Sequence, residues 1–255
     1  GQDIPLTEVM FGTSLFFGVL TPLLVFLHAR ILLGDTSRAL VAALAFATLP
    51  MHIRFTASEV EFIGSTATSS FAFILLHIAL RERDSLWGMG AFLALPFVMS
   101  GLMHLRPLNV LFIPVFASFA LWLRPASTPA DAKHRRTVAL LVTLAGAYGA
   151  YVSLSAHYGS QVREGLSLMT LLSAAGLLVN PISNSLLNPF ITPTLYLVAS
   201  VVGAVLCWRH DRRLGVLLVG WLLLFHTAHA FVIAVVPEMQ SRYYLHMVVP
   251  FSLLI

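Results

Sequence analysis

The sequence predicts an all-α fold, a polytopic transmembrane helix bundle, and three observations predict it. The first is composition: 58% of the 255 residues belong to the AVILMFWYC set, only 10% are charged, and mean hydropathy is +0.87. A soluble domain is about 45–50% apolar and about 25% charged. The second is that apolar blocks of spanning length recur along the whole chain, punctuated by charges, Gly and Pro. The third is that basic residues crowd into alternate gaps between those blocks.

Nine membrane segments emerge in order, at 8–33, 39–53, 59–80, 86–105, 107–123, 137–158, 192–208, 214–236 and 243 to the end. The first is long enough to span with room to spare. The second is short, and Pro50 ends it because proline disfavours helix at the residue before it. The third opens after Glu59 and closes at Arg81-Glu82-Arg83. The fourth and fifth are divided by Arg106-Pro107, the sixth follows the basic stretch Lys133 to Arg136, and the seventh and eighth are divided by Arg209 to Arg213. They form one transmembrane domain over 1–255. The chain opens at Gly1 without Met or a basic leader and stops inside an apolar run, so it reads as an internal portion of a longer membrane protein.

Alternate gaps hold Arg30 and Arg38; Arg81 and Arg83; Arg124, Lys133, Arg135 and Arg136; and Arg209, Arg212 and Arg213, which is 11 of the 15 Lys and Arg residues. The intervening gaps hold Arg54, Arg106, Arg163 and Arg242, one each. Positive charge in short loops stays on the cytoplasmic side. That rule makes the first set cytoplasmic and puts Gly1 on the extracytoplasmic side of an integral, multi-pass protein. The long connection 159–191 is then an outer loop. Its stretch 165–179 is apolar but too short to cross, which predicts an interfacial helix, and the Asn-Pro and Thr-Pro steps that follow predict irregular backbone.

Several function classes fall away. The formal charge of +4 is scattered between apolar blocks, which argues against nucleic acid. Cys207 is the single cysteine, so neither an intrachain disulfide nor a thiolate cluster can form. No Gly-rich phosphate loop or nucleophile elbow is present, and Asn109, Asn180, Asn184 and Asn188 all fail the glycosylation sequon. Tyr148, Tyr151 and Tyr158, near Gly146 and Gly149, read as helix packing and an interfacial belt.

What remains is the chemistry of the outer side. Its four lone arginines share that side with Asp3, Glu8, Glu59, Glu61, Glu164 and Glu238. Arginine at an apolar boundary is costly, which favours a use for it. A guanidinium matches phosphate oxygens in a bidentate way, and carboxylates serve as bases or accept from sugar hydroxyls. As single residues these are equally ordinary solvated loop charges. Arg163, in the long loop, is read as solvated.

The stretch Leu49-Pro50-Met51-His52-Ile53-Arg54-Phe55-Thr56-Ala57-Ser58-Glu59, with its following apolar helix ending in Arg81-Glu82-Arg83, resembles the Pro, Arg, small residue, acid pattern of GT-C type membrane glycosyltransferases. The group meant is the polyprenyl-phosphate-sugar-dependent one, with the protein O-mannosyltransferases and the lipid A aminoarabinose transferase. Arg106-Pro107 and Arg242-Tyr243-Tyr244, with Pro250 beyond, are similar to that family's later landmarks. The resemblance implies a GT-C-like helix bundle that moves a sugar from a polyprenyl-phosphate donor to an acceptor at the extracytoplasmic face. Arg54, Arg106, Arg242 and Tyr243 would bind the lipid phosphate around one outer cavity. The family's catalytic acid belongs to a first outer loop upstream of Gly1, so within the chain only Asp3, Glu8, Glu59 and Glu61 stand as acidic candidates.

His226 and His229, three residues apart on one helix, are a candidate divalent-metal pair with His246 as a third ligand, against the commoner reading as interhelical hydrogen-bond donors. No other cofactor is indicated. His28, His77 and His210 near cytoplasmic helix ends read as snorkelling or dipole-compensating side chains, and His104 could join Arg106. The expected partners are membrane lipid, the sugar donor and other membrane subunits. The alternatives are a non-catalytic GT-C-like scaffold subunit and a lipid transporter or flippase, although no internal symmetry of the transporter kind is visible.

Overall fold

The computed structural model describes residues 6–56, 60–157, 168–179, 192–235 and 245–255. Among them no strand is found, and five helices are long and apolar enough to cross a membrane. These are α1 (Leu6–Leu33), α4 (Val60–Arg81), α5 (Leu86–Leu105), α7 (Pro129–His157) and α10 (Arg212–Val235). Between them lie α2 (Thr36–Thr48), α3 (Pro50–Thr56), α6 (Phe112–Trp122), α8 (Leu168–Val179), α9 (Thr194–His210) and α11 (Leu245–Leu254).

Local chemistry sets the boundaries. Gly34 takes a left-handed φ of +71° that ends α1, and its backbone oxygen accepts from the Arg30 guanidinium. Asp35 then caps α2, its carboxylate accepting from the Arg38 backbone N–H at 2.8 Å. That bond holds the exposed Asp35 carboxyl below the usual range. Ser85 caps α5 in the same way through Gly88. Pro50 does more than end α2: it becomes the first residue of α3, where its missing N–H costs nothing. Pro107 forces Arg106 into an extended conformation (φ −158°, ψ 141°), which ends α5 and starts a 3₁₀ turn over Pro107–Leu111.

The blocks expected at 39–53 and 107–123 are therefore each divided in two: α2 with α3, and the 3₁₀ turn with α6. The apolar stretch 165–179 is helical from Leu168, and at 12 residues α8 reaches about 18 Å, short of a hydrocarbon core of about 30 Å. The Asn-Pro segment after it lies outside the described residues.

The centre is α4, packed against α1 on one side and α5 on the other, with further contacts to α6, α7 and α11. Its run of Ser65, Thr66, Ala67, Ser69 and Ser70 is buried. Small and hydroxyl side chains let helices approach closely where lipid supplies no hydrophobic drive. One level further along, Phe73 stacks on Phe116 of α6 (centroids 4.0 Å apart) and on Trp221 of α10 (4.6 Å), while Phe112 meets Phe225 at 4.7 Å. That aromatic column joins α4, α6 and α10. Between α5 and α7 the contact is backbone-close, because a Cβ at Gly149 would lie 2.7 Å from the Ser100 carbonyl oxygen.

The bundle has two chemically different ends. At one, α1 meets α2, His134 of α7 donates to the Ala79 carbonyl of α4 at 2.9 Å, and the α9–α10 turn borders Leu33 and Arg38. All 11 basic residues of the alternate gaps lie at this basic end. Arg54 and Arg106 lie at the other, where Thr48 also shares a hydrogen bond with Tyr196 at 2.8 Å.

Helix α3 folds back against α1 at a prepared point. Pro22 has no N–H, so the Gly18 carbonyl loses its helical donor, a costly loss in a water-free interior. The buried His52 imidazole lies beside that Gly18 backbone group. Ser14 donates to the Thr56 carbonyl at 2.8 Å, and a Cβ at Gly18 would collide with the Thr56 side chain. A proline-broken ladder and a missing side chain thus form the socket for α3. Replacing His52 by Ala should lower stability by about 1–3 kcal/mol, since it removes a buried ring that packs on Phe46 and covers the broken turn. In a Pro22→Ala background, where the backbone N–H of the new residue restores the helical donor, the same change should cost measurably less. Thermal unfolding of the four proteins in one detergent measures this coupling, and equal costs in both backgrounds would contradict it.

Candidate functional site

The corner of the bundle opposite the basic end is built around the first turns of α4. Arg106 stands at the break between α5 and the 3₁₀ turn, half-buried, with its guanidinium carbon 3.0 Å from the centre of the Phe62 ring. Stacking of this kind engages the cation's face and leaves its N–H bonds in the plane of the guanidinium, around its edge, where Nε is buried. Phe62 itself is fully buried, so it is a fixed platform.

Asn109 sits beneath that platform. It is fully buried, its Oδ1 accepts from Ser65 Oγ at 2.9 Å, and its Nδ2 donates to the Leu102 carbonyl. Leu102 is one of the last four residues of α5, whose carbonyls have no helical donor. The amide satisfies one of these and ties the end of α5 to α4.

Arg54 is in the last turn of α3 and exposed, two residues beyond the buried His52. His52 also packs on Phe46 of α2, ring centroids 4.5 Å apart. Since α3 contacts α4 as well as α1, Arg54 and Arg106 are brought to one end of the bundle on either side of the start of α4. Glu8 is exposed in the first turn of α1, next to Gly12 and Phe16 on an open surface. His104 is exposed in the last turn of α5. Glu61 belongs to the first turn of α4, and its side chain lies outside the described residues. Asp3, Glu59, Arg163, Glu164, Glu238, Arg242, Tyr243 and Tyr244 lie outside them entirely, as does Tyr158.

The histidines are placed differently from one another. His226 approaches the Leu178 carbonyl of α8 at 3.4 Å, and His229 Nδ1 lies 2.7 Å from the Phe225 carbonyl of its own helix. Both therefore engage backbone, which is the interhelical and intrahelical bonding that competes with metal binding. The side chain of His246 is outside the described residues. No group of three His, Cys, Asp or Glu side chains that could hold a metal ion is found among the described residues.

His28 and His77 correct the expectation of snorkelling. Both are buried at the α1–α4 interface, and His28 stacks on Phe73 at 4.8 Å with an interplanar angle of 14°. The α1–α4 contact closes over them before their helices reach the basic end. His210 is exposed there, and Tyr148 and Tyr151 are exposed, which corrects the expectation that they pack between helices.

A cavity of about 960 Å³ opens at the basic end, lined by Arg38, His210, Arg212, Arg213 and the apolar Leu206 and Leu254. It lies opposite the corner that carries Arg54 and Arg106. Sequence reasoning missed Phe62, Ser65, Asn109 and His52 as parts of that corner. The available signal was a carboxamide inside an apolar block: Asn109 in hydrocarbon needs partners, and they must come from neighbouring helices.

Compared with protein-family models, curated proteins and solved structures, the chain matches none of them.

Replacing Phe62 by Leu should remove both packing and the cation's aromatic partner, together about 1–3 kcal/mol. Phe62→Tyr, which keeps the ring, should lose less. Unfolding temperatures of the two variants measure the difference, and a Tyr variant at least as damaged as the Leu variant would contradict the ring's role as platform.

Proposed function

We propose that this chain is part of a GT-C-like membrane glycosyltransferase that transfers a sugar from a polyprenyl-phosphate donor to an acceptor at the extracytoplasmic face. The observation that carries the reading is the pair Arg54 and Arg106 at the weakly basic end, each on an element pinned by a buried polar residue, Ser14 for α3 and Asn109 for the end of α5. Guanidinium groups held in place at a membrane edge suit a phosphodiester whose lipid tail lies along the helices. The cation's role is electrostatic: it offsets the phosphate's charge in the bound donor and the charge that grows on it as the sugar leaves. Breaking the bond from anomeric carbon to phosphate oxygen returns its electrons to the phosphate. The new bond forms from the acceptor oxygen, whose proton passes to a carboxylate base. Arg242 and Tyr243 complete the phosphate site in this reading, and Asp3, Glu8, Glu59 and Glu61 are the acidic candidates.

The orientation belongs to the same proposal. Eleven clustered basic residues mark the cytoplasmic end, which leaves Arg54 and Arg106 facing out. A Cys placed at Ala132 in a Cys207→Ser background should be reached by membrane-impermeant maleimide only after the cells are opened. Labelling in intact cells would reverse the orientation.

Donor binding is the direct test. Arg106→Ala in the full-length protein should weaken geranylgeranyl phosphate binding by about tenfold or more, with Arg106→Lys recovering only part because the fork is lost. An Arg106→Ala protein that binds this lipid as the parent does would refute the donor site. Donor binding without turnover of a labelled lipid-phosphate sugar would favour the scaffold alternative.

A further inference from the structure

Two neighbouring side chains of α4 grip the corner where α5 ends. Phe62 and Ser65 are three residues apart and so lie on one helical face. Phe62 carries the Arg106 guanidinium, and Ser65 donates to Asn109. Asn109 passes the grip on by donating to Leu102, three residues before α5 ends.

The carboxamide has only one workable orientation. Turned over, its NH₂ would meet the α4 side and its oxygen would face the Leu102 carbonyl, acceptor against acceptor. Because Asn109 is fully buried, water cannot repair that mismatch. The backbone between its two anchor points contains Arg106 and the proline that keeps it extended. The position of the arginine's Cα relative to Phe62 is therefore set by the tie from Asn109 back to Leu102, which closes over it, and by Pro107 directly after it.

We propose that Asn109 is a positioning residue for phosphate binding: it pins the end of α5 to α4 so that the Arg106 guanidinium stays on Phe62 with its N–H edge in one orientation. This rests on the donor-phosphate reading of Arg106 and adds the element that pre-orders it. Pre-ordering matters because a long side chain that is immobilised only on binding loses affinity to the ordering.

The test uses full-length protein in lipid nanodiscs with two readouts. One is the rate at which phenylglyoxal modifies Arg106, followed by mass spectrometry of the peptide that contains it. The other is binding of geranylgeranyl phosphate. Asn109→Ala should raise the modification rate at least threefold and weaken lipid binding about tenfold. Ser65→Ala, the milder change, should move both in the same direction by less. On top of Arg106→Ala, Asn109→Ala should cause no further loss of binding, because it acts through that arginine.

An unchanged Arg106 rate in folded Asn109→Ala or Ser65→Ala protein overturns the proposal. So does a full tenfold loss that persists in the double variant, since that is the mark of general damage. If Arg106→Ala binds the lipid as the parent does, the donor reading falls and takes the phosphate-binding role of Asn109 with it. The modification rate tells this from a failure of the clamp alone, because it depends on no ligand.

Discussion

A backbone polar group inside a bilayer has no water to turn to, and each break in a helical ladder must be repaired by another part of the protein. This fold depends on that constraint. Pro22 breaks α1 and Pro107 ends α5, and near each break a buried polar side chain ties down a neighbouring segment: Ser14 donates to the Thr56 carbonyl, and Asn109 to that of Leu102. The repairs also do the docking. Ser14 fastens α3 to α1, and Asn109, through Ser65, fastens the end of α5 to α4.

The same two repairs stand next to the two described arginines outside the basic end. Arg54 precedes Thr56 by two residues on α3, and Arg106 precedes Asn109 by three across the 3₁₀ turn. Each cation is attached to a segment whose position is fixed from below by a hydrogen bond in the apolar interior. Solvated loop charges need no such support. At the basic end the pairs differ: Arg83 meets its neighbour Asp84 at 3.2 Å in an exposed contact of small energetic weight, while Arg135 is largely buried against Asp131 at 3.0 Å.

Much of the fold is legible in the sequence, because apolar length and basic alternation respond directly to the bilayer. The helical class, the long helices, the division at Arg106-Pro107 and the short helix after residue 165 all follow from length, proline and charge. The splitting of 39–53 at Pro50 into two packed helices does not follow, since the socket at Gly18 is a tertiary feature made by residues distant in the chain. For the same reason position near a helix end suggests snorkelling for His28 and His77. Only the packed aromatic column shows that α1 and α4 close over them. At the corner, the arginines are visible in the sequence as single charges, while Phe62, Ser65 and Asn109 are not, because ordinary residue types become a clamp only when two helices bring them together.

The central claim is that the repaired breaks present Arg54 and Arg106 to one lipid phosphate. Electron cryomicroscopy of the full-length protein in nanodiscs containing geranylgeranyl phosphate tests it most directly. The account predicts phosphate density at the corner above Phe62, within about 2.7–2.9 Å of a guanidinium nitrogen of each arginine, with the prenyl chain along the bundle. Phosphate bound only at the basic end, or Arg54 and Arg106 directed to separate sides of the bundle in the loaded protein, would contradict it.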